Sequence, residues 1–176
     1  CRADLEEAAA LAGPAFLLNV VRASDGGLAG AVAGDPVAAH RLGVALARSV
    51  FDVAPAPPAR TVLVSDRGPV TMNLYQACKL LPPAGPLLEP GGTIVMAAAL
   101  YDGVGPVEVI NEAIYRLGVV HALPPDHRVV LVSEQPPEAI APTFAQWAPS
   151  VEAALGSEPV LVLPHAGDCV TYAQAM

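Results

Sequence analysis

The sequence predicts an α/β fold: a mostly parallel β-sheet with helices on both faces. After residue 58, segments of helical spacing alternate with short apolar segments, and this alternation favours parallel strands joined by helices. The short segments are apolar almost without interruption, as strands buried on both faces of a parallel sheet are. They predict strands at 61–65, 93–97, 129–132 and 160–163. The segments between and after them predict helices at 73–81, 107–117, 137–146 and 150–155.

The beginning of the chain is organised differently. A short helix is predicted at 4–11, with acidic residues in its first turn and Gly13-Pro14 at its end. Two apolar runs follow at 16–22 and 28–33, and the Asp25-Gly26-Gly27 sequence between them is a hairpin signal. Because a two-stranded hairpin is only marginally stable alone, we expect it to pack on a larger sheet.

A longer helix is predicted over 36–53. Asp35 suits its N-cap, and Pro36 suits its first helical position. The Pro-rich segment 54–58 after this helix is a stiff connector and therefore the best candidate for a domain boundary.

Composition narrows the functional class. The 176 residues fit one domain, or one domain with pieces of a neighbour. A net charge of −8 argues against a nucleic-acid partner, which requires a basic surface. The three cysteines show no pairing pattern or metal-ligand spacing, which favours a cytoplasmic location. No apolar run reaches the roughly 18 to 20 residues that span a bilayer, so no membrane partner is predicted. Because the chain starts at Cys1, we expect it to be a fragment.

The most informative stretch is 61–79, where an apolar strand, a turn and a helix follow one another. In open α/β sheets, ligands bind where such a helix begins, at the carboxyl end of the strand. Gln76 and Lys79 are three residues apart and so lie on one side of the helix. Lys79 is also the one lysine among nine basic residues. An amide beside an ammonium predicts a receptor for a carboxylate or phosphate, the alternative being a solvated surface lysine.

Several motifs along the chain together resemble one protein family. In chain order they are Leu18-Asn19-Val20-Val21, Ala33-Gly34-Asp35-Pro36 with Ala39-His40, Asn73-Leu74-Tyr75-Gln76 with Lys79, Pro90-Gly91-Gly92-Thr93-Ile94-Val95-Met96-Ala97-Ala98, Asp102-Gly103-Val104-Gly105, and Val160-Leu161-Val162-Leu163-Pro164-His165-Ala166-Gly167. With them the chain resembles the C-terminal portion of the nickel-dependent lactate racemase family. It departs from that family at Asp66-Arg67-Gly68-Pro69, where Gly-Gly-Tyr-Pro is usual, at Thr71, where Asp is usual, and at Asp102, where Glu is usual.

The resemblance implies a Rossmann-like C-terminal domain accompanied by a β-hairpin and tail pieces of a truncated N-terminal domain. Five segments follow from it: 1–35 as the remnant of the N-terminal, cofactor-binding domain, 36–59 as connector helix and linker, 60–147 as the C-terminal domain, 148–157 as second connector helix, and 158–176 as a tail returning to the N-terminal domain. In this layout the hairpin and the 160–163 strand lie together, away from the C-terminal domain.

The resemblance also implies a function. The family racemises or epimerises 2-hydroxy acids by hydride transfer to a nickel pincer nucleotide, whose anchor and catalytic histidines lie upstream of this fragment. No catalytic residue or metal ligand is therefore expected here, and the fragment alone is expected to be inactive. Tyr75, Gln76 and Lys79 match the group that closes the site and orients the small-molecule 2-hydroxy acid. Gly103 and Gly105 are weaker candidates for backbone contact with the cofactor, and the fragment is expected to pack on its own N-terminal domain.

Other residues have simpler interpretations. His40, His121 and His127 are expected to be packing or loop residues, His165 to make a structural hydrogen bond, and Trp147 to lie in the core or at a boundary. Two other functions remain open. The chain could be a diverged, non-catalytic relative that binds an anionic ligand, as the altered turn at 66–69 would allow. It could instead be an unrelated Schiff-base enzyme using Lys79, although no partner acid or base is evident.

Overall fold

The structure, a computed structural model, describes residues 2–11, 13 and 15–173. Cys1, Ala12, Pro14 and residues 174–176 lie outside the described residues, and with Pro14 so does part of the Gly13-Pro14 end predicted for the first helix. The chain divides into two compact units, Cys1–Asp52 and Val53–Met176. This division comes just before the Pro-rich segment 54–58.

The first unit contains helix α1 (Arg2–Leu11), hairpin strands β1 (Leu17–Arg22) and β2 (Leu28–Gly34), and helix α2 (Pro36–Phe51). Asp35 caps α2 as predicted, because its side chain accepts a 2.9 Å hydrogen bond from the backbone N–H of Ala38. The helix packs on the hairpin so closely that a Cβ on Gly30 would lie 2.7 Å from Leu46.

The hairpin therefore packs within its own unit on a helix, where we expected a larger sheet. The helix predicted as a connector over 36–53 is part of this first unit and ends at Phe51. Only one face of the hairpin is covered by α2. The other face leaves Leu18, Val20 and Leu28 more than half exposed.

The second unit is built on a five-stranded, entirely parallel sheet, which confirms the predicted α/β fold. Its strands are β3 (Ala59–Ser65), β4 (Leu88–Ala97), β5 (Arg128–Val132), β6 (Gln146–Ala148) and β7 (Val160–Leu163), in the spatial order β6-β5-β4-β3-β7. Strands β3, β4, β5 and β6 follow one another in one direction across the sheet, and β7 lies on the opposite side of β3. The direction of winding thus reverses between β3 and β7, and ligands of open α/β sheets bind at such a reversal, beyond the carboxyl ends of the strands.

The predicted position of the 160–163 strand was wrong. It is not part of the hairpin's two-stranded sheet; it pairs in parallel with β3, with Val64 opposite Leu163. Pairing with β7 removes an open edge from β3, and it buries Leu163 in the core of the second unit. The described residues of the 158–176 tail also stay with this unit, because Val170 accepts a backbone hydrogen bond from Val53 and Ala173 forms a bridge with Ala56.

The helices of the second unit are shorter and less regular than predicted. The elements are α3 (Leu74–Ala77) followed by a 3₁₀ turn (Cys78–Leu80), a 3₁₀ segment (Pro82–Leu87), α4 (Val107–Val109) continued by a π-helix (Ile110–Val119) and a 3₁₀ turn (Val120–Ala122), α5 (Pro137–Ile140), α6 (Val151–Ala154) and a 3₁₀ turn (Ala166–Asp168). The helix predicted over 137–146 was wrong beyond Ile140, because Pro142 has no N–H to donate to the carbonyl of Glu138 and so cannot continue the helix. The side chain of Asn111 fixes the backbone after this helix. It donates a hydrogen bond to the carbonyl of Pro142 and accepts one from the N–H of Phe144, both at 2.9 Å.

In two side chains of this unit, burial raises the pKa to about 12. Burial raises the pKa of the Cys78 thiol from 9.0 to about 12. Burial, with a smaller contribution from Cys78, raises the pKa of Tyr115 from 10.0 to about 12. Tyr115 stacks on Phe144 at 3.8 Å between ring centroids, and its hydroxyl lies 2.6 Å from Nε2 of His127. The other ring nitrogen of His127 is 2.7 Å from the carbonyl of Pro124, which can only accept, so Nδ1 carries the proton and Nε2 accepts from Tyr115.

We expect the second unit to lose stability as pH rises from about 9 to about 12. In that window the unfolded thiol and phenol of Cys78 and Tyr115 lose their protons, whereas the folded ones keep them, so rising pH favours the unfolded state. Urea unfolding followed by Trp147 fluorescence at a series of pH values measures this loss. Cys78→Ala should make the loss of unfolding free energy shallower, and an unchanged pH dependence in that variant would contradict the assignment.

Candidate functional site

The candidate site lies where the loops after β3 and β4 meet, at the carboxyl edge of the parallel sheet. Three backbone hydrogen bonds tie the two loops together: Leu100 N–H to Thr71 at 2.9 Å, Asp102 N–H to Met72 at 2.8 Å, and Leu74 N–H to Val104 at 3.2 Å. The start of α3 is thereby held against the loop that contains the Asp102-Gly103-Val104-Gly105 motif. The two motifs singled out in the sequence form one structural neighbourhood.

Helix α3 is fixed by its cap and by its buried side. The side chain of Asn73 accepts a 2.9 Å hydrogen bond from the N–H of Gln76, as an N-cap does. Leu74, Cys78 and Leu81 form a buried stripe and are at most 1% exposed. Tyr75 and Lys79, by contrast, are exposed, and Gln76 is half-buried. A short helix with a buried side this complete has little freedom to rotate, so the direction of its polar side chains is set.

Gln76 and Lys79 are brought together as predicted. Lys79 Nζ donates a 2.6 Å hydrogen bond to Gln76 Oε1. Because an ammonium group only donates, the amide oxygen must face Lys79 and the amide nitrogen must point elsewhere. Two ammonium hydrogens and two amide hydrogens remain for other acceptors. The pair therefore combines a positive charge with remaining N–H donors, and these suit the oxygens of a carboxylate.

The loop after β4 has a backbone geometry that requires its glycines. Gly103 and Gly105 have φ values of +81° and +93°, a region that favours glycine, and nothing lies within 4 Å of a Cβ added at Gly103. Leu100 also has a positive φ, of 54°, although it is fully buried. Its carbonyl accepts 2.8 Å hydrogen bonds from Gln135 Nε2 and from the N–H of Gly103, which hold this unfavourable conformation in place.

One group in this region was missed as a candidate in the sequence. Asp66, the first residue after β3, has a side chain only 6% exposed, and its Oδ1 lies 3.6 Å from Nδ1 of His165. Its Oδ2 accepts a 2.9 Å hydrogen bond from the N–H of Gly167. The signal was present, since a carboxylate directly after a buried strand sits at the ligand-binding edge. His165 lies beside this carboxylate, whereas the sequence suggested only a structural hydrogen bond for it.

The remaining candidates stay outside this neighbourhood. His40 lines a small cavity of about 260 Å³ within the first unit, His121 is exposed, and Trp147 is 38% exposed on strand β6. Among the described residues, no group of three His, Cys, Asp or Glu side chains is placed to hold a metal ion. None of the helices in the described part of the chain is long and apolar enough to cross a membrane.

Comparison with known proteins identifies the relatives of this chain, although no family model matches it. It is 37% identical over 103 residues to the lactate racemase of Lactiplantibacillus plantarum, covering 58% of this chain and 24% of that protein. It is 35% identical over 114 residues to the lactate racemase of Thermoanaerobacterium thermosaccharolyticum, covering 64% of this chain and 25% of that protein. The chain thus spans about a quarter of the length of these curated relatives.

A solved structure agrees in fold. The lactate racemase apoprotein from Thermoanaerobacterium thermosaccharolyticum superposes with a TM-score of 0.79 and 23% sequence identity, over 96% of this chain and 48% of that one. The resemblance to the lactate racemase family that the motifs predicted is therefore confirmed: this chain matches a portion of the lactate racemases in sequence and shares their fold.

Proposed function

We propose that this chain is the C-terminal part of a lactate racemase-like isomerase, in which it orients a 2-hydroxy acid and helps to close the active site. The observation that carries the proposal is the 2.6 Å pair of Lys79 and Gln76, held on a capped helix at the carboxyl edge of the sheet. The sequence similarity to lactate racemases supports the reaction class. The rest of the enzyme, including the N-terminal domain on which this part would pack, comes from other residues of a longer protein.

The chemistry of the pair fits the carboxylate of the substrate. Lys79 supplies a positive charge and Gln76 a neutral donor, so that the two oxygens of one carboxylate can each accept a hydrogen bond. Fixing the carboxylate limits the orientations of the adjacent carbon, which is the centre that changes configuration. Tyr75, 42% exposed beside Gln76, would cover the bound acid from the solvent side.

The cofactor of the full enzyme is proposed to be a nickel pincer nucleotide, which supplies a hydride acceptor when bound. The described residues do not fit the nickel ion itself, because no cluster of suitable side chains is present among them. Its ligands and its anchor would therefore lie in another part of the protein, as would the catalytic residues. The open backbone at Gly103 leaves room for a contact with the bound nucleotide, whereas a Cβ added at Gly105 would lie 3.5 Å from Ile110. A cytoplasmic location remains a prediction.

One observation favours a second candidate function. The turn after β3 carries Asp66 and Arg67 at positions where the resembling family usually has two glycines, and the buried Asp66 carboxylate bonds to Gly167 and lies beside His165. Such a change suits a diverged relative that binds an anionic ligand with the same helix but does not racemise it.

The two functions are separated by assaying the full-length protein that contains this chain, loaded with its cofactor. We expect L-lactate to be converted towards a racemic mixture, measured by chiral chromatography, with the reverse conversion from D-lactate. The 176-residue chain alone, as the control, should convert neither enantiomer. Saturable lactate binding without any interconversion would contradict the racemase proposal and support the non-catalytic relative.

A further inference from the structure

Leu100 has a backbone conformation that its residue type disfavours. Its φ of 54° lies in the left-handed region, which a residue with a Cβ seldom adopts, and its side chain is fully buried. Such a conformation persists only where the surrounding structure holds it, and residues held in this way cluster at binding and catalytic sites. Leu100 lies at the carboxyl edge of the parallel sheet, shortly after β4, where ligands of open α/β sheets bind.

Two donors hold the carbonyl oxygen of Leu100. One is the backbone N–H of Gly103, at 2.8 Å, which closes the turn that Leu100 begins. The other is Nε2 of Gln135, also at 2.8 Å, from the loop that follows β5. A carbonyl oxygen has two lone pairs and can accept both hydrogen bonds. Of these two donors, only Gln135 lies outside the turn, so it ties the disfavoured conformation of Leu100 to a neighbouring strand of the sheet.

Gln135 is itself fixed in place. Its backbone N–H donates a 3.2 Å hydrogen bond to Oγ of Ser133, and Pro136 after it restricts its backbone to extended conformations. The preceding residue, Glu134, donates its N–H to the carbonyl of Ala99 at 3.3 Å. The loop after β5 is therefore bonded to the loop after β4 by backbone and by side chain, and the Gln135 amide is directed at Leu100.

The conformation of Leu100 controls how the loop after β4 meets helix α3. The N–H groups of Leu100 and Asp102 donate to the carbonyls of Thr71 and Met72, at 2.9 and 2.8 Å. Because φ of Leu100 sets the direction of the chain between these two N–H groups, relaxing this angle would break at least one of the bonds. Leu74, the first residue of α3, is held by the same loop through its N–H.

The substrate-orienting pair takes its position from this helix start. Asn73 caps α3 by accepting the N–H of Gln76 at 2.9 Å, and Lys79 follows in the next turn, bonded to Gln76 at 2.6 Å. Helix α3 is only four residues long, so a shift of its first residue would move both side chains of the pair. Printed hydrogen bonds thus connect Gln135 to the pair through Leu100 and the loop after β4.

We propose that Gln135 is a positioning residue of the substrate site. By holding Leu100 in its left-handed conformation, Gln135 keeps the loop after β4 bonded to the start of α3. Lys79 and Gln76 are thereby kept in the arrangement that binds a carboxylate. The inference rests on the proposed function in one respect, namely that this pair binds the substrate carboxylate. Gln135 acts through the backbone of two loops and not by contact with the ligand.

The first test measures deuterium exchange of backbone amides by NMR on the 176-residue chain. Gln135→Met keeps the length of the side chain but removes its N–H donor. We expect the N–H groups of Leu74 and Asp102 to exchange about fivefold faster in this variant, as the loss of one hydrogen bond would give. Amides at the centre of β4 should change by less than about twofold. The matched control is Gln146→Met, the same substitution at an exposed position of β6, which should change neither group.

The second test measures lactate affinity by calorimetry on the full-length protein that contains this chain. Gln135→Met should weaken lactate binding by about fivefold, and Gln146→Met should leave it unchanged. If Gln135 acts through the Lys79–Gln76 pair, its effect depends on that pair. In a Lys79→Ala background, Gln135→Met should therefore weaken lactate by no more than about a further twofold.

The outcomes separate this inference from the proposed function. Unchanged lactate affinity in Gln135→Met would overturn the inference, as would an equal increase in exchange throughout β4, which a purely structural role predicts. A full fivefold effect in the Lys79→Ala background would also overturn it. Lactate binding that is absent from the wild-type protein, or unaffected by Lys79→Ala, would instead overturn the proposed function. Faster exchange confined to Leu74 and Asp102 would then still support the part of the inference in which Gln135 holds the start of α3.

Discussion

Replacing Lys79 by alanine in the full-length protein should lower turnover efficiency on its hydroxy acid by about ten- to a hundredfold. The variant removes the charge-assisted hydrogen bond that we assign to the substrate carboxylate, and it leaves the Gln76 side chain without the 2.6 Å partner that orients it. The loss should appear without a change in melting temperature, because the exposed amine contributes nothing to the core. Initial rates of racemisation and thermal unfolding of the same preparations measure both quantities.

Two further variants test whether the effect is specific to the lysine at position 79. Lys79→Arg should restore activity only partly, since the guanidinium is larger and favours a planar, two-oxygen partner in a different position. The exposed Arg116→Ala is a suitable control, because it removes a positive charge whose partner is Glu112 of the same helix and not a predicted site residue. An active Lys79→Ala enzyme, or one that loses activity and stability together, would show that this lysine is structural.

The local features of the second unit could be predicted from the sequence because their signals are local. The Val-rich run before Ser65 predicts a buried strand wherever it lies in a sheet, and Asn73 is a good N-cap in any context. The meeting of Gln76 and Lys79 follows from helical spacing alone, since a separation of three residues places both on one side. The sequence could therefore predict which residues of the candidate site belong together only where they lie on one helix.

The partner of a strand, by contrast, is a non-local property. The apolar sequence of β7 predicts a strand, but nothing within its four residues specifies pairing with β3, about a hundred residues earlier in the chain. The family layout placed it elsewhere, and this error concealed the Asp66–His165 neighbourhood. Those two residues become neighbours only when β3 and β7 are paired, so the sequence alone showed an unusual turn and an unremarkable histidine.

The early end of helix α5 has a local cause, the proline at position 142. Apolar spacing over 137–146 suggested a helix, but Pro142 lacks the N–H that would continue it, and the chain instead turns to form the short strand β6. Asn111 stabilises that turn from a different helix, and this contact has no signature within the 137–146 segment.

The largest effect on stability is expected from Gly85→Ala in the 3₁₀ segment Pro82–Leu87. A Cβ at this position would overlap the carbonyl oxygen of Ala122, which lies in the backbone of the turn Val120–Ala122 and cannot rotate away as a side chain would. Relief requires the two segments to separate, and Pro82–Leu87 is held in the core by Ala84 and Leu87. We expect the free energy of unfolding of the second unit to fall by about 3 kcal/mol, the upper part of the range for overpacking.

Gly118→Ala is the matched control for this prediction. Gly118 lies in the π-helix Ile110–Val119, and the nearest atom to its added Cβ is a carbonyl oxygen 3.8 Å away, an ordinary contact. Removing a helical glycine should change the free energy of unfolding by no more than about 1 kcal/mol, in the stabilising direction. Urea unfolding followed by Trp147 fluorescence reports on the second unit in both variants, because Trp147 is the one tryptophan of the chain. If Gly85→Ala proved as stable as Gly118→Ala, the close approach of the two segments at Gly85 would be refuted.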